Sequence, residues 1–461
     1  MTSRYDIVII GGGISGLTSA FRLKSEGFSV KLLEKSEKFG GVLQTQKKQG
    51  FITEMGPNTV LETSPLVGQL IQELGLENDK IYADETSNVR YIARNKIPHP
   101  LPSSPGTFFN SKLFSRSAKL RLLKEPFIKA WDNSYEESLA QFVQRRLGQE
   151  FLDYAINPFV AGVYAGSPGN LSVKHGLPKL YALEQKYGGL IKGQIKGARE
   201  RRKSLETSKQ NARMFSFTNG LDTLPTTMAD KLGPDAVSKA QVIDISLLQN
   251  NWLVTYQDPV QKKSTIFCKA VIYSGQIYAL KNITINNKII PEIEKVEDIY
   301  YPPVTILHLG FKKEDVGHSL AGFGMLIPEV EKFNTLGVLF SSSLFKGRAP
   351  RGQVLLTVFI GGARQPENAL KPKAQLIEMA LEDYKVLLNV KKDPLFVHFK
   401  TWPRAIPQYD IGYGQKKDYF DHLEHDNQGL FLSGCYRQGI SVSDTIVNAW
   451  DTSKKVQSFC S

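Results

Sequence analysis

Six residues constrain this chain more than any others: Gly11-Gly12-Gly13-Ile14-Ser15-Gly16. They follow a short apolar run, Tyr5–Ile10, and open a helical pattern that continues through Lys24. A second strand, Phe28–Leu33, is closed by Glu34. Strand, glycine turn, helix and strand make a βαβ unit with a defined chemistry. Gly11 makes the tight turn, Gly13 lets the backbone approach a pyrophosphate, and Gly16 lets helix and strand pack closely. The positive helix end faces the phosphates, and the Glu34 carboxylate stands where it accepts both hydroxyls of an adenosine ribose. Gly11, Gly12, Gly13, Ile14, Ser15, Gly16, Glu34 and Lys35 are therefore candidate cofactor contacts. A glycine pattern alone is weak; strand, helix and acid falling in register make it specific.

Two further motifs separate FAD from NAD. Gly40-Gly41 stands six residues after the ribose acid, the extension found in glutathione-reductase-like and amine-oxidase-like flavoproteins, and again allows a close approach to a diphosphate. Many such proteins carry Arg next; Val42 stands here, which puts one phosphate contact in doubt. Near the other end, Asn427–Cys435 reads as a strand opening into a loop, and Gly439–Asp444 starts a helix. In these flavoproteins that strand rejoins the dinucleotide sheet and the helix N-terminus stabilises the reduced flavin. Gly434, Cys435, Val442 and Ser443 join the cofactor set, and the likeness to these flavoproteins implies Val242 and Gly56-Pro57-Asn58-Thr59 as well. FAD is the expected cofactor, bound without a covalent link.

Between these ends the chain changes character. From about Pro98 to Arg213, loops rich in Pro and Ser precede helical stretches loaded with Lys and Arg. Phe215–Leu224 reads as a loop leading into a helix. Strands are expected at Ala240–Leu247, Trp252–Gln257, Ala270–Ser274, Val304–Phe311, Gly324–Ile327, Leu336–Ser341 and Val354–Ile360, then a helix at Lys373–Leu388. At 461 residues two or three folding units are expected. Three distant cysteines argue against a disulfide framework or zinc site. His422 and His425 have ligand chemistry but lie in a polar stretch read as a solvated connection, so no metal is assigned. No apolar run is long enough to span a bilayer, and the N-terminus runs straight into a strand, so no leader is expected.

At Asn157-Pro158-Phe159-Val160-Ala161-Gly162-Val163-Tyr164-Ala165-Gly166 the sequence resembles the protoporphyrinogen oxidase family of the flavin amine oxidase superfamily. Further matches are Gly56-Pro57-Asn58-Thr59, Arg90-Tyr91-Ile92-Ala93, Tyr301-Pro302-Pro303-Val304, Gly322-Phe323-Gly324 and Gly337 through Pro350. The resemblance covers nearly the whole chain. It implies an α/β fold: a Rossmann-like FAD domain (1–90, 214–285 and 408–461), interrupted by a helical membrane-binding domain (91–213) and a mixed-sheet substrate domain (286–407) of the p-hydroxybenzoate hydroxylase type. It implies oxidation of a porphyrinogen to a porphyrin, with molecular oxygen reoxidising the flavin. Arg90 matches the position that contacts a propionate and Phe323 the aromatic that packs on a pyrrole ring. Leu326 extends that wall, and Asn58 and Gly166 match positions near flavin and macrocycle. No acid–base residue stands out.

A net charge of +13 suits a polycarboxylate substrate or an anionic membrane surface. Phe108, Phe109, Leu113, Phe114, Leu120, Leu122, Leu123, Phe127, Ile128 and Trp131 interleave with Lys112, Arg116, Lys119, Arg121, Lys124 and Lys129, and Lys192, Lys196, Arg199, Arg201, Arg202 and Lys203 cluster downstream. These features suit a peripheral, one-leaflet membrane contact of a cytoplasmic protein; nothing resembles a nucleic-acid reader. A homodimer is left open. So are coproporphyrinogen as substrate, an amine oxidase, a carotenoid desaturase and a non-catalytic flavoprotein.

Overall fold

A computed structural model of the protein describes residues 3–132, 134–197 and 212–461. Its organising element is a five-stranded parallel sheet in the order Val237–Lys239, Val30–Glu34, Ile7–Ile10, Ala270–Tyr273, Leu430–Leu432. Strands from both ends and the middle of the chain thus meet in one layer. All four residues of Ile7–Ile10 are buried, as a parallel strand covered on both faces requires. The first helix, Ile14–Ser25, packs against the C-terminal helix Val442–Cys460 and against Thr223–Leu232. Ile7, Ile9, Leu17, Leu32, Ile272 and Ile446 share that core. A second five-stranded sheet, built mainly from Gln241–Leu248, Asn251–Gln257 and Lys263–Cys268, adjoins it.

The other large layer is a seven-stranded sheet ordered Phe396–Trp402, Val304–Lys312, Gln353–Gly361, Thr335–Leu339, Gly324–Leu326, Arg90–Arg94, Ile97–Pro100. It is antiparallel except where Arg90–Arg94 runs parallel to Gly324–Leu326. The strands at 90–100, missed in the sequence, therefore join this sheet, while the helices begin at Pro105–Asn110. Those helices include Arg116–Leu123, Leu139–Arg146, Asn157–Tyr164, Pro178–Tyr187 and Leu190–Lys196. Lys192 and Lys196 lie on the last; Arg199, Arg201, Arg202 and Lys203 fall outside the described residues.

Two other expectations differ, and one strand was not anticipated. Met214–Phe217 is a strand, in a small sheet with Val60–Leu61 and Lys80–Tyr82, not a loop. Phe396–Trp402 escaped notice because it is an edge strand in which only Phe396 is fully buried, which dilutes the apolar alternation. The stretch holding His422 and His425 is a helix, Tyr413–Asp426, opened by Gly412 at φ +85°. Its buried face is Tyr413, Tyr419, Phe420 and Leu423, a stripe too sparse to stand out among polar residues. Among the described residues no helix is long and apolar enough to cross a membrane.

Candidate cofactor and substrate site

The glycine turn is shaped by what its missing side chains would strike. A Cβ on Gly16 would lie 2.0 Å from the Gly11 carbonyl oxygen, so the turn closes only without one. Gly11 itself has φ +107°, where a side chain is strained. Gly13 is the opposite: a Cβ there meets nothing within 4 Å. It heads the helix Ile14–Ser25, whose N-terminus has no side-chain cap. Open space beside uncapped helix amides is an anion site. Glu34 stands next to it, accepting from the amides of Gly12 (2.5 Å) and Ser36 (2.7 Å), while Lys35 is exposed. The second glycine pair folds onto the first: the Gly40 amide donates to the Gly12 carbonyl at 2.7 Å, and a Cβ on Gly41 would lie 3.2 Å from Gly13 Cα. Behind Gly41, Val42 abuts a third glycine, since a Cβ on Gly56 would lie 2.2 Å from the Val42 carbonyl oxygen. Val242 is buried on the strand that begins just after Ala240, whose amide donates to the Glu34 carbonyl. The donor set and the cradle a Cβ would fill fit a ribose diphosphate.

The chain's C-terminal part closes the same place. Ser15 Oγ and Ser433 Oγ are 2.8 Å apart, and Gly434 turns at φ +139° with its amide on Asn448. Burial pushes the Cys435 thiol up to about 12, so it stays protonated. The Ser441 side chain accepts from the Asp444 amide at the start of the last helix, and Ser443 donates to the Leu61 carbonyl, tying that helix to the strand after Gly56–Thr59.

Four separate segments build the second half of the site. The Arg90 guanidinium lies 5.3 Å over the Phe323 ring, because Arg90 pairs with Gly324 in the parallel register. Burial lowers the Arg90 pKa, and no carboxylate pairs with it among the described residues. Leu326 follows two steps along the strand. A Cβ on Gly162 would lie 2.4 Å from Leu326 Cδ2, so the helix Asn157–Tyr164 rests on that side chain. Phe159, Gly162 and Val163, spaced three and four apart, share an exposed helix face. The helix is locked in place by Asn157, which donates to Glu329 and accepts from Arg364 at 2.9 Å each. Gly166 is buried instead against Gln408, and Asn58 bonds its own loop at the Gly56 carbonyl.

Sequence reasoning overlooked Trp402 and Tyr409, which border this region, and read Tyr301 only as part of a matching string. The Trp402 indole donates to the Met55 carbonyl at 2.6 Å. The Tyr409 hydroxyl donates to the Cys435 carbonyl. The Tyr301 hydroxyl is buried without a partner among the described residues, next to Tyr278, whose ring is 5.0 Å away edge-on. The aromatic density at Trp402, Tyr409 and Tyr413 was the available signal.

The flavin containing amine oxidoreductase family matches residues 14–456. Protoporphyrinogen oxidase 2, chloroplastic/mitochondrial, of Arabidopsis thaliana is 34% identical, covering 98% of this chain and 94% of that protein. The mitochondrial protoporphyrinogen oxidase of Nicotiana tabacum is 33% identical, with 98% and 95% covered. The coproporphyrinogen III oxidase of Bacillus subtilis (strain 168) is 27% identical, with 95% of each covered. Among solved structures, an Exiguobacterium sp. 255-15 protein described as a candidate protoporphyrinogen oxidase superposes with TM-score 0.80 at 19% identity, 99% of each chain covered. Reduced UDP-galactopyranose mutase superposes with TM-score 0.74 at 15% identity, covering 98% of this chain and 94% of the other. At such identities the two superpositions establish the mixed α/β fold alone.

Proposed function

The chain belongs to the flavin containing amine oxidoreductase family and is an FAD-dependent oxidoreductase; from that premise we propose that it oxidises protoporphyrinogen IX to protoporphyrin IX. The observation that carries this reading is Arg90: a partly buried cation with no carboxylate partner among the described residues, set at the edge of an apolar wall of Phe323 and Leu326, with the helix that bears exposed Phe159 and Val163 resting on Leu326. Such a wall suits a flat apolar macrocycle, and the lone cation suits a propionate. The relatives named as protoporphyrinogen oxidases support the same substrate.

In this reading Gly11–Gly16, Gly40, Gly41 and Glu34 hold the dinucleotide, with Val242, Gly56–Thr59, Gly434, Cys435, Val442 and Ser443 around it. Bound FAD supplies a two-electron acceptor, so the six-electron conversion takes three cycles, each closed by oxygen with release of hydrogen peroxide. The chain's own part is binding and orientation. Arg90 fixes one edge of the ring, Phe323 and Leu326 set its plane, and Gly162 lets the helix Asn157–Tyr164 rest directly on Leu326. The cofactor domain comprises about 1–89, 214–285 and 408–461, the substrate domain 286–407 together with the strands at 90–100, and the helical domain starts after them rather than at residue 91.

The helical part carries a peripheral contact with an anionic bilayer. Phe127 is 88% exposed and Leu120 64% exposed, beside Lys119 and Lys124. Apolar side chains among cations enter a headgroup layer this way. The activity is tested by porphyrin fluorescence after adding protoporphyrinogen or coproporphyrinogen to FAD-loaded protein. Faster turnover of protoporphyrinogen is the expected result; turnover of neither contradicts the proposal. Co-sedimentation with anionic vesicles, reversed by high salt with detergent, tests the membrane contact.

A further inference from the structure

The loop Gly56–Thr59 faces the cofactor in the reading above, and the residue that leads into it is unusual. Glu54 ends the strand Phe51–Glu54 with its side chain 4% exposed. Its carboxylate accepts from the Thr45 hydroxyl (2.7 Å) and the Leu221 amide (3.0 Å), and it lies 3.6 Å from Arg348 Nη2. Arg348 comes from the substrate sheet, from the loop between Thr335–Leu339 and Gln353–Gly361. It is buried too, and it donates to Ser216 Oγ (2.7 Å) and the Phe217 carbonyl (3.1 Å), while its own carbonyl accepts from the Ile52 amide (3.2 Å). Gly220, at φ +103°, exists to admit Thr45: a Cβ there would lie 2.2 Å from the threonine methyl. Immediately after Glu54, Met55 is held by Trp402 and Gly56 by Val42. Glu54, Arg348 and Asn58 then line one small pocket with Ser341 and Thr357.

We propose that Glu54 is a positioning residue for the cofactor-facing loop Gly56–Thr59, holding it through the buried pair with Arg348 that ties this loop to the substrate sheet. The proposal rests on the flavin reading of the site but not on the identity of the substrate. A fastening alone has no need of charge, since packed apolar side chains usually serve as well where a desolvated ion pair is expensive. Glu54 is also poised to titrate. Burial pushes its carboxyl up to about 7; the Thr45 hydroxyl, Arg348 and the Leu221 amide oppose that, and Asp222 adds to it. His308, near the Glu54 backbone, is itself pushed down to about 3 by burial and by His398, so it adds no charge at neutral pH. Around neutrality, ionisation of Glu54 strengthens the grip of Arg348 and protonation relaxes it.

The test uses FAD-loaded protein without substrate, following flavin absorbance and fluorescence anaerobically from about pH 5.5 to about pH 9, a window spanning the raised carboxyl. The parent is expected to show a spectral transition near neutrality. Glu54→Gln is expected to keep its FAD and lose the transition. Thr45→Val, which removes one bond favouring the carboxylate, is expected to move it to higher pH. A parent with no transition, or a Glu54→Gln protein that titrates like the parent, overturns the proposal. If Glu54→Gln does not fold, Thr45→Val decides: an upward shift supports the role and an unmoved transition overturns it. Failure of the porphyrinogen assay leaves this readout intact, so the two failures are told apart.

Discussion

The proposed cofactor cradle and the proposed substrate wall are built on opposite principles. In the cradle the chain approaches itself backbone to backbone: Gly16 on Gly11, Gly40 on Gly12, Gly56 on Val42. Absence of side chains is the device, and most of it lies within thirty or so residues of the first strand. On the wall side chains do the work, and they arrive from four segments around residues 90, 160, 325 and 364. Their arrangement depends on sheet register and on Asn157, Glu329 and Arg364 holding a helix against that sheet. A local backbone device tolerates no substitution at a few points, whereas a wall assembled by packing loses function in increments.

The largest expected effect is in the cradle. Gly16→Ala puts a methyl 2.0 Å from a backbone oxygen with no freedom to retreat, so protein without FAD and with a lowered Tm is expected. Gly13→Asp separates binding from folding: its Cβ meets nothing, so the apoprotein keeps its Tm while a carboxylate facing the phosphates abolishes FAD uptake. Equal loss of Tm in both variants, read from thermal unfolding and flavin content, would erase the distinction.

Next is the helical region, where Arg146 is fully buried against Glu184 (2.6 Å from Nε) and Glu125 (3.1 Å from Nη1). Arg146→Met leaves the buried Glu125 with only the Leu190 and Ile191 amides, while Glu184 keeps Arg145, and loss of this buried pairing is expected to cost about 3–5 kcal/mol in urea unfolding. On the wall, losing the Arg90 charge in Arg90→Ala should raise KM by roughly tenfold to a hundredfold, from about 1.5–3 kcal/mol of a charge-assisted contact, with FAD content unchanged. An unaltered titration curve would remove Arg90 from the site.

A further effect, spread over a pH range, concerns stability. The Glu54 carboxyl sits at about 7 in the folded chain, against 4.5 as its ordinary value. A raised acid contributes stability that is full below the unfolded value and is lost as pH rises through the folded one. The parent should therefore lose up to roughly 2–3 kcal/mol between about pH 5 and about pH 8 relative to Glu54→Gln, measured by urea unfolding. Parallel curves for the two proteins would show that the carboxyl is not raised.

The same contrast explains what was legible in the sequence. Gly11, Gly13, Gly16 and Glu34 announce themselves because tight turn, phosphate approach and ribose acid all depend on spacing along one short stretch. Arg90 carries no local mark: among the chain's lysines and arginines only its place in a matching string singled it out, and its meaning comes from pairing with Gly324 some 230 residues away. Glu54 was invisible for a related reason. Its partners Thr45, Leu221 and Arg348 come from three segments, and nothing around Glu54 in the sequence shows that it is buried. The helix Tyr413–Asp426 shows the limit for secondary structure, since a helix with a narrow aromatic face reads as a polar connection.

The most direct measurement is anaerobic mixing of the FAD-loaded protein with protoporphyrinogen IX, watching the flavin absorbance. A bound porphyrinogen positioned by Arg90 and Phe323 is expected to bleach the flavin band by one two-electron transfer per FAD, with full conversion to porphyrin only once oxygen is admitted, and the bleaching is expected to be much slower in Arg90→Ala at the same concentration. A flavin band that survives porphyrinogen but bleaches with a simple amine would contradict the substrate proposed here.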